Sequence, residues 1–170
     1  MYPRRWMRFD VYDETRDAVL MVGHRNLYVN QTYLSFCSPV FERLFRCIKD
    51  YSNVIEVKDV NFDTMEKFLN LLHHCSVQIH EVNVENFLFL AQKYETPMIT
   101  ERCEQYLLKY TGRIISLDDR SKYATKYGLK DLEKHCQILA AEKEKKRNEQ
   151  LIEFRMSRER RYFKYLFCCC

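Results

Sequence analysis

A short turn between two strand-like runs is the feature that most constrains this 170-residue chain. Ala18–Val22 is a continuous apolar run, and residues 26–30 alternate apolar with polar side chains. Gly23-His24-Arg25 separates the two runs, in a chain that has only 3 glycines. A buried run, a tight turn and a half-buried run predict a β-hairpin with one face inward.

The remaining pattern adds further strands and several helices. Alternation at Val54–Val57 predicts a third strand of the sheet, and shorter strands are predicted at Phe9–Tyr12 and Val77–Ile79. Ser38-Pro39 predicts a helix start, with serine as N-cap and proline at the first helical position. Helical spacing of apolar residues predicts other helices from residue 33, from residue 62 after Asn61, from Asn83, from Thr96-Pro97, from Ser116 to Lys126 and from Leu129 to Ala141. The helices at 83 and 96 are expected to form an antiparallel hairpin, and the predicted class is α+β.

Composition excludes several classes of function. The chain is 46% apolar and of single-domain size, which predicts one core. With only 3 glycines and 3 prolines, a glycine-rich phosphate-binding loop is not expected. No apolar run reaches the roughly 20 residues of a membrane span, and the basic N-terminus lacks a following apolar segment, so we expect neither a signal peptide nor a membrane helix. Five of the 8 cysteines are dispersed in apolar segments, which favours free thiols and a cytoplasmic or nuclear location.

One cluster contains residue types that bind metals. His73-His74-Cys75 and His80 lie close in sequence, but adjacent helical histidines point about 100° apart, unlike the i, i+4 pair of a helical zinc site. Exposure at a helix end is the simpler interpretation. No nucleophile-elbow or oxyanion-hole motif accompanies a cysteine and histidine pair. We therefore predict no enzyme activity, metal, cofactor or small-molecule substrate.

These elements together resemble the BTB/POZ family, whose fold has a small three-stranded sheet with helical hairpins. The positions that carry the resemblance are Asp17, Leu34, Ser38-Pro39-Val40-Phe41 and Phe45, followed by Ile55-Glu56-Val57, Phe68-Leu69, Leu90-Ala91-x-x-Tyr94 and Cys103-Glu104-x-Tyr106-Leu107. The predicted organisation is an N-terminal arm at 1–16, a BTB/POZ domain at 17–111, a helical extension at 112–141 and a charged basic helical tail at 142–170. The resemblance implies a protein-interaction module.

Within the family, the chain is most similar to the sub-family found beside MATH domains. That sub-family has Leu-Tyr-Val in its second strand, as Leu27-Tyr28-Val29 has here, although no MATH, Kelch or zinc-finger segment is recognised. The family often has histidine and a basic residue after this strand, where this chain has Asn30 and Gln31. The pocket that BTB transcription factors use for corepressors is therefore incomplete.

The family is best known for binding the third cullin as the adaptor of a cullin-RING ubiquitin ligase. Its cullin contact includes a hydrophobic-x-Glu motif after the Ser-Pro-x-Phe helix, and this chain has Ile48-Lys49-Asp50 there, with a shorter acid. An apolar anchor beside an acid suits a partner groove. The alternative is that Ile48 only covers the edge of the domain. The cullin-binding residues implied by the resemblance are Ile48, Lys49, Asp50, Tyr94 and Met98.

The resemblance also implies dimerisation with a second copy or with another BTB protein. Phe9–Tyr12 lies where the family exchanges an N-terminal strand between protomers, so Phe9, Val11 and Leu20 are the predicted dimer residues. The alternative to a ligase adaptor is a scaffold without ligase activity, or a competitor that pairs with a longer BTB protein.

The tail carries the charge of the chain. Residues 142–170 contain nine lysines and arginines against five glutamates, which accounts for the net charge of +4. A solvated helix face is the usual interpretation, nucleic acid is not the expected partner, and an anionic membrane surface is an alternative. Cys168, Cys169 and Cys170 are predicted lipidation sites on that alternative, although they lack the C-a-a-X form.

Overall fold

The chain forms two compact units, Met1–Ile114 and Ile115–Cys170. A computed structural model describes residues 6–48, 53–109 and 115–167, with side chains as far as residue 160. In chain order the elements are β1 (Ala18–Val22), β2 (Arg25–Val29), α1 (Gln31–Cys37), α2 (Pro39–Cys47), β3 (Val54–Val57), α3 (Phe62–Leu72), α4 (Val84–Lys93), α5 (Pro97–Lys109), α6 (Leu117–Tyr127) and α7 (Lys130–Phe167). The predicted α+β class is confirmed.

The sheet has the strand order β2-β1-β3. β1 and β2 form the predicted hairpin, which turns at Gly23 with a left-handed φ of 62°. A glycine suits this position because the left-handed region is strained for residues with a side chain. β3 then pairs with β1 in parallel, with Leu20 opposite Ile55, after the chain has crossed through α1 and α2. Parallel neighbours require such a crossover.

Side-chain caps set the start of α1 and α2. The Asn30 side chain accepts a hydrogen bond from the Tyr33 amide at 2.8 Å, and Ser38 Oγ accepts one from the Phe41 amide at 3.1 Å. Pro39 occupies the first turn of α2, as predicted. These bonds satisfy amides that have no partner within a helix. α1 and α2 pack against each other, and α4 packs against α5 after the short connection 94–96, as a helical hairpin does.

The strand predicted at Phe9–Tyr12 is wrong, because residues 9–11 form a turn and a bend. The Arg16 guanidinium donates hydrogen bonds to the Arg8 carbonyl at 2.6 Å and to the Val11 carbonyl at 3.0 Å, which curls the backbone. Only the Phe9 carbonyl joins the sheet, where it accepts from the Tyr28 amide at 2.7 Å. A neighbouring arginine therefore binds carbonyl groups that a strand would have offered to a partner.

The strand predicted at Val77–Ile79 is also wrong, because residues 77–80 have no regular secondary structure. The Asn83 side chain donates to the Gln78 carbonyl at 3.1 Å and accepts from the His80 amide at 2.8 Å. Asn83 stands at the N-cap position of α4, as predicted. Its side chain makes no capping bond, because its oxygen is bonded to the His80 amide and its nitrogen to the Gln78 carbonyl. Asparagine commonly competes with regular structure in this way.

The second unit contains α6 and the 38-residue α7. Ser116 caps α6: its Oγ accepts from the Asp119 amide at 3.1 Å and donates to the Asp119 carboxylate at 2.7 Å, so only the serine half of the predicted capping box forms. Gly128 ends α6 with a left-handed φ of 66°. Leu129, Leu132 and Cys136 are buried, whereas every residue from 140 to 160 is exposed. The helices predicted at 129–141 and in the tail are one continuous helix. Within the described residues, no helix is long and apolar enough to cross a bilayer.

Candidate protein-interaction surface

α2 has two apolar faces with different roles. Phe41 and Phe45 are buried in the first unit. Val40, Leu44 and Ile48 follow each other at i, i+4 and i+8 and stay partly exposed, Leu44 with 37% of its surface accessible. Side chains at this spacing lie on one side of a helix. An apolar stripe therefore runs to the C-terminal end of α2 and ends at Ile48, its C-cap.

Three contacts fasten α2 to the connection between α4 and α5. The Phe41 ring stacks on the Tyr94 ring, with centroids 4.4 Å apart and planes 7° apart. Ser38 Oγ donates a hydrogen bond to the Tyr94 carbonyl, and the Arg43 guanidinium pairs with the Glu95 carboxylate at 2.9 Å. The stripe on α2 is therefore held in a fixed relation to the start of α5. We call Arg43, Leu44, Ile48, Glu95 and Met98 the α2–α5 surface.

The residues predicted for cullin binding divide into three groups. Ile48 and Met98 are half-buried and reach the surface. Tyr94 is only 4% exposed. The prediction that it contacts a partner is therefore corrected, because its ring is buried against Phe41 of α2. Burial raises the pKa of Tyr94 to about 12, so its hydroxyl stays protonated at neutral pH. Lys49 and Asp50 lie outside the described residues.

Two of the three predicted dimer residues belong to the core of their own protomer. Phe9 is 1% exposed and contacts the His73 ring, with centroids 5.2 Å apart, and the Arg16 guanidinium carbon lies 5.0 Å from the centroid of the Phe9 ring. Leu20 is fully buried in the central strand β1. Burial removes both side chains from any surface, so these assignments are corrected. Val11 is exposed and stays a predicted dimer residue.

The N-terminal arm, described from residue 6 to residue 16, is bound to its own protomer by Asn70. The Asn70 side chain is fully buried in α3. Its oxygen accepts from the Met7 amide at 2.7 Å, and its nitrogen donates to the Met7 carbonyl at 3.0 Å and to the Glu66 carbonyl at 3.0 Å. One amide side chain thus pairs with both polar groups of Met7, as a neighbouring strand would.

Sequence reasoning missed Phe36, which is 88% exposed on α1. The signal was present in the spacing, because Phe36 follows the buried Leu34 by two positions and therefore lies about 200° around the helix from it. The apolar spacing predicts a helix from residue 33 without assigning its faces, and Leu34 is the buried residue of α1.

The described histidines, cysteines and acids are the residue types that can come together as metal ligands. No three His, Cys, Asp or Glu side chains in the described ranges are placed to hold a metal ion. Burial raises the pKa of the Cys103 thiol to about 12 and also raises the pKa of Cys37 and Cys136, which keeps these thiols protonated. The His73 ring stacks on Tyr33 at 4.0 Å and has a structural place in the core.

A three-stranded sheet with helical hairpins and a supported apolar stripe defines a class of small protein-interaction domains. A family model described as BTB/POZ domain matches residues 9–111. The chain therefore belongs to the BTB/POZ family, whose domains are protein-interaction modules.

Comparison with curated proteins finds relatives that are longer than this chain. BTB and MATH domain-containing protein 38 of Caenorhabditis elegans is 31% identical over 99 residues, which cover 54% of this chain and 24% of that protein. Kelch-like protein 41 of Homo sapiens is 29% identical over 104 residues, 59% of this chain and 17% of that protein. The chain thus spans about a quarter or less of these relatives. The predicted similarity to MATH-associated BTB domains is confirmed.

Among solved structures, the BTB domain of human gigaxonin superimposes with a TM-score of 0.50 and 15% sequence identity, over 55% of this chain and 79% of that domain. At this identity the likeness bears on the fold alone. It supports the predicted BTB fold.

Proposed function

We propose that the chain is a dimeric BTB adaptor that presents its α2–α5 surface to the third cullin. The observation that carries the proposal is the stripe of Val40, Leu44 and Ile48, which stays accessible on a helix whose other face is buried. Such a helix is ordered before a partner arrives, so binding does not have to order it. The resemblance to cullin-binding BTB domains supplies the identity of the partner.

The chemistry of the surface fits an interface with a small apolar centre. Leu44 and Ile48 supply the apolar anchors, and the Arg43–Glu95 ion pair stands beside them with both side chains more than half exposed. In protein interfaces a few well-packed apolar anchors supply most of the affinity, while charges at the rim fix orientation and contribute little free energy. Ile48 is therefore expected to be the residue whose loss weakens binding most.

Calorimetry with the purified N-terminal domain of the third cullin tests the adaptor proposal. Ile48→Ala should weaken binding about tenfold or more, because truncation of an interface anchor typically costs at least about 1.4 kcal/mol. Asp50→Ala should weaken it less. The matched control is Ile152→Ala, the same substitution at an exposed position of α7, which should bind as the unmodified chain does.

Two outcomes would contradict the adaptor role. One is absence of binding by a chain that circular dichroism shows to be folded, which would favour a scaffold without ligase activity. The other is equal weakening by Ile48→Ala and Ile152→Ala, because only the first changes the α2–α5 surface.

Dimerisation is the second part of the proposal, with another copy or a different BTB protein as partner. Phe36 and Val11 are the exposed apolar side chains that support it. Sedimentation equilibrium of Phe36→Ser should show a dissociation constant raised about tenfold or more, if a well-packed aromatic anchor is lost. Val82→Ser, at another exposed apolar position of the first unit, is the control. A dimer whose dissociation constant is unchanged by Phe36→Ser and by Val11→Ser would contradict dimerisation through these two side chains.

The proposed setting is the cytoplasm or nucleus. The described cysteines at 37, 47, 75, 103 and 136 are free thiols, which suits a reducing compartment. The lipidation proposed for Cys168, Cys169 and Cys170 concerns residues outside the described ranges. Replacement of all three by serine should shift the chain from membrane to soluble fractions of a cell lysate, and an unchanged distribution would contradict lipidation.

A further inference from the structure

The second half of α7 exposes apolar side chains that no described residue of its unit covers. Residues 142–150 are polar and exposed, and then four apolar side chains follow within six positions. About half or more of each is accessible to solvent, and these residues are Leu151, Ile152, Phe154 and Met156. Isolated exposed apolar residues are ordinary, but a cluster of four on one helix indicates a binding surface.

Two arginines occupy the same side of the helix as part of this cluster. Arg155 and Arg158 follow Leu151 at i+4 and i+7, Glu159 follows it at i+8, and Phe154 follows it at i+3. A protein seam along this side would bury two guanidinium groups with the apolar residues, and guanidinium groups stay charged. At a bilayer surface, the same arginines extend along the helix to lipid phosphates while the apolar side chains enter the acyl boundary.

Charge adds a second reason for a lipid partner. The segment 142–170 has nine basic residues against five acidic ones. Four basic residues stand against three glutamates in residues 142–150, so most of the excess lies in residues 151–170, which have five basic residues against two glutamates. Basic residues attract the anionic leaflet, and an apolar cluster then holds the helix at the interface.

We propose that the segment from Leu151 to Arg160 of α7 is an interfacial helix that binds the surface of anionic phospholipid bilayers. Binding there would bring the BTB domain to a membrane surface, whether or not that domain binds a cullin. The proposal rests on unmodified side chains and does not require lipidation of the terminal cysteines.

Vesicle flotation of the full chain tests the proposal. Vesicles of phosphatidylcholine with about 30 mol % phosphatidylserine should bind the chain, and pure phosphatidylcholine vesicles should bind it several-fold less. Ile152→Ser should reduce binding about fivefold, because a side chain that enters the interface is lost. The matched control is Ile138→Ser in the same helix: Ile138 is 59% exposed and Ile152 is 60% exposed, but Ile138 precedes the cluster. Its binding should equal that of the unmodified chain.

A charge variant separates electrostatic attraction from apolar insertion. Arg155→Gln with Arg158→Gln should reduce binding to the anionic vesicles by more than tenfold, since each basic residue near such a surface contributes about a fivefold factor. Equal losses for Ile138→Ser and Ile152→Ser would overturn the proposal, as would equal binding to both vesicle types. It would also be overturned by a chain that binds single-stranded RNA but no vesicles, or whose exposed cluster only mediates self-association in sedimentation.

Discussion

α2 and the second half of α7 both expose apolar side chains, but they differ in what holds the helix in place. α2 buries Phe41 and Phe45 on one face and presents Leu44 and Ile48 on the other. From residue 140 to residue 160, α7 buries no side chain. The first helix is fixed by the core beneath it, and the second is stabilised only by its own backbone bonds and local pairs, such as Arg147 with Glu144 at 3.1 Å.

This difference predicts where a substitution will act. A change on the buried side of α2 should destabilise the domain and disturb its binding surface together. A change in the exposed part of α7 should leave stability intact and alter only binding, because no core contact is lost. Stability and binding measurements on matched variants can therefore separate the two helices.

The largest expected effect is that of Phe41→Ala. Phe41 is fully buried and stacks on Tyr94, so its truncation leaves a cavity and should lower the free energy of unfolding by about 3–5 kcal/mol. Urea denaturation followed by circular dichroism measures the change. The matched control is Phe154→Ala on α7, which should change stability by less than about 0.5 kcal/mol. A similar loss in both variants would show that α7 has a core beyond residue 140.

A medium effect is expected for Asn70→Ala, which tests whether one buried side chain can hold an irregular segment. The change leaves the Met7 amide and carbonyl without their partner and should cost about 1–3 kcal/mol. Release of the arm should also accelerate trypsin cleavage after Arg8 and Arg16. The control is Asn61→Ala, which removes the cap of α3 at a cost of about 1 kcal/mol. Cleavage that is equally slow in both variants would contradict the role of Asn70.

The sequence was sufficient to predict the hairpin, the third strand and the capped helices, because each depends on neighbours within a few residues. A helix cap can be recognised from the residues next to it, as at Ser38-Pro39, Ser116 and Gly128. The strands predicted at 9–12 and 77–79 were wrong for a related reason: alternation was present, but the side chains of Arg16 and Asn83 took the backbone groups that a strand requires.

The candidate surface was less predictable than the fold. Ile48 was found from its place after a recognisable helix, whereas the burial of Tyr94, Phe9 and Leu20 depends on packing against residues distant in sequence. The Asn70 contact joins positions 63 residues apart, which no periodicity reveals. The exposure of Phe36 could have been predicted from helix geometry, because the rotation per residue places Phe36 on the opposite side of α1 from the buried Leu34.

The smallest expected effect concerns Glu66, a half-buried acid close to the arm, whereas the acids of the α7 tail are exposed. Burial, together with the negative charge of Asp10, raises the pKa of Glu66 above its ordinary value of 4.5. The folded state then binds this proton more tightly than the unfolded state, so the free energy of unfolding falls as the pH rises through that range. Glu66→Gln removes this loss and should stabilise the chain at pH 7 by less than about 0.5 kcal/mol, because solvent still screens the charge of a half-buried group. The difference should vanish well below pH 4.5 in urea titrations, and Glu153→Gln, its exposed counterpart in α7, should give no gain at pH 7. A gain for Glu153→Gln as large as that for Glu66→Gln would trace the effect to net charge, not to burial beside the arm.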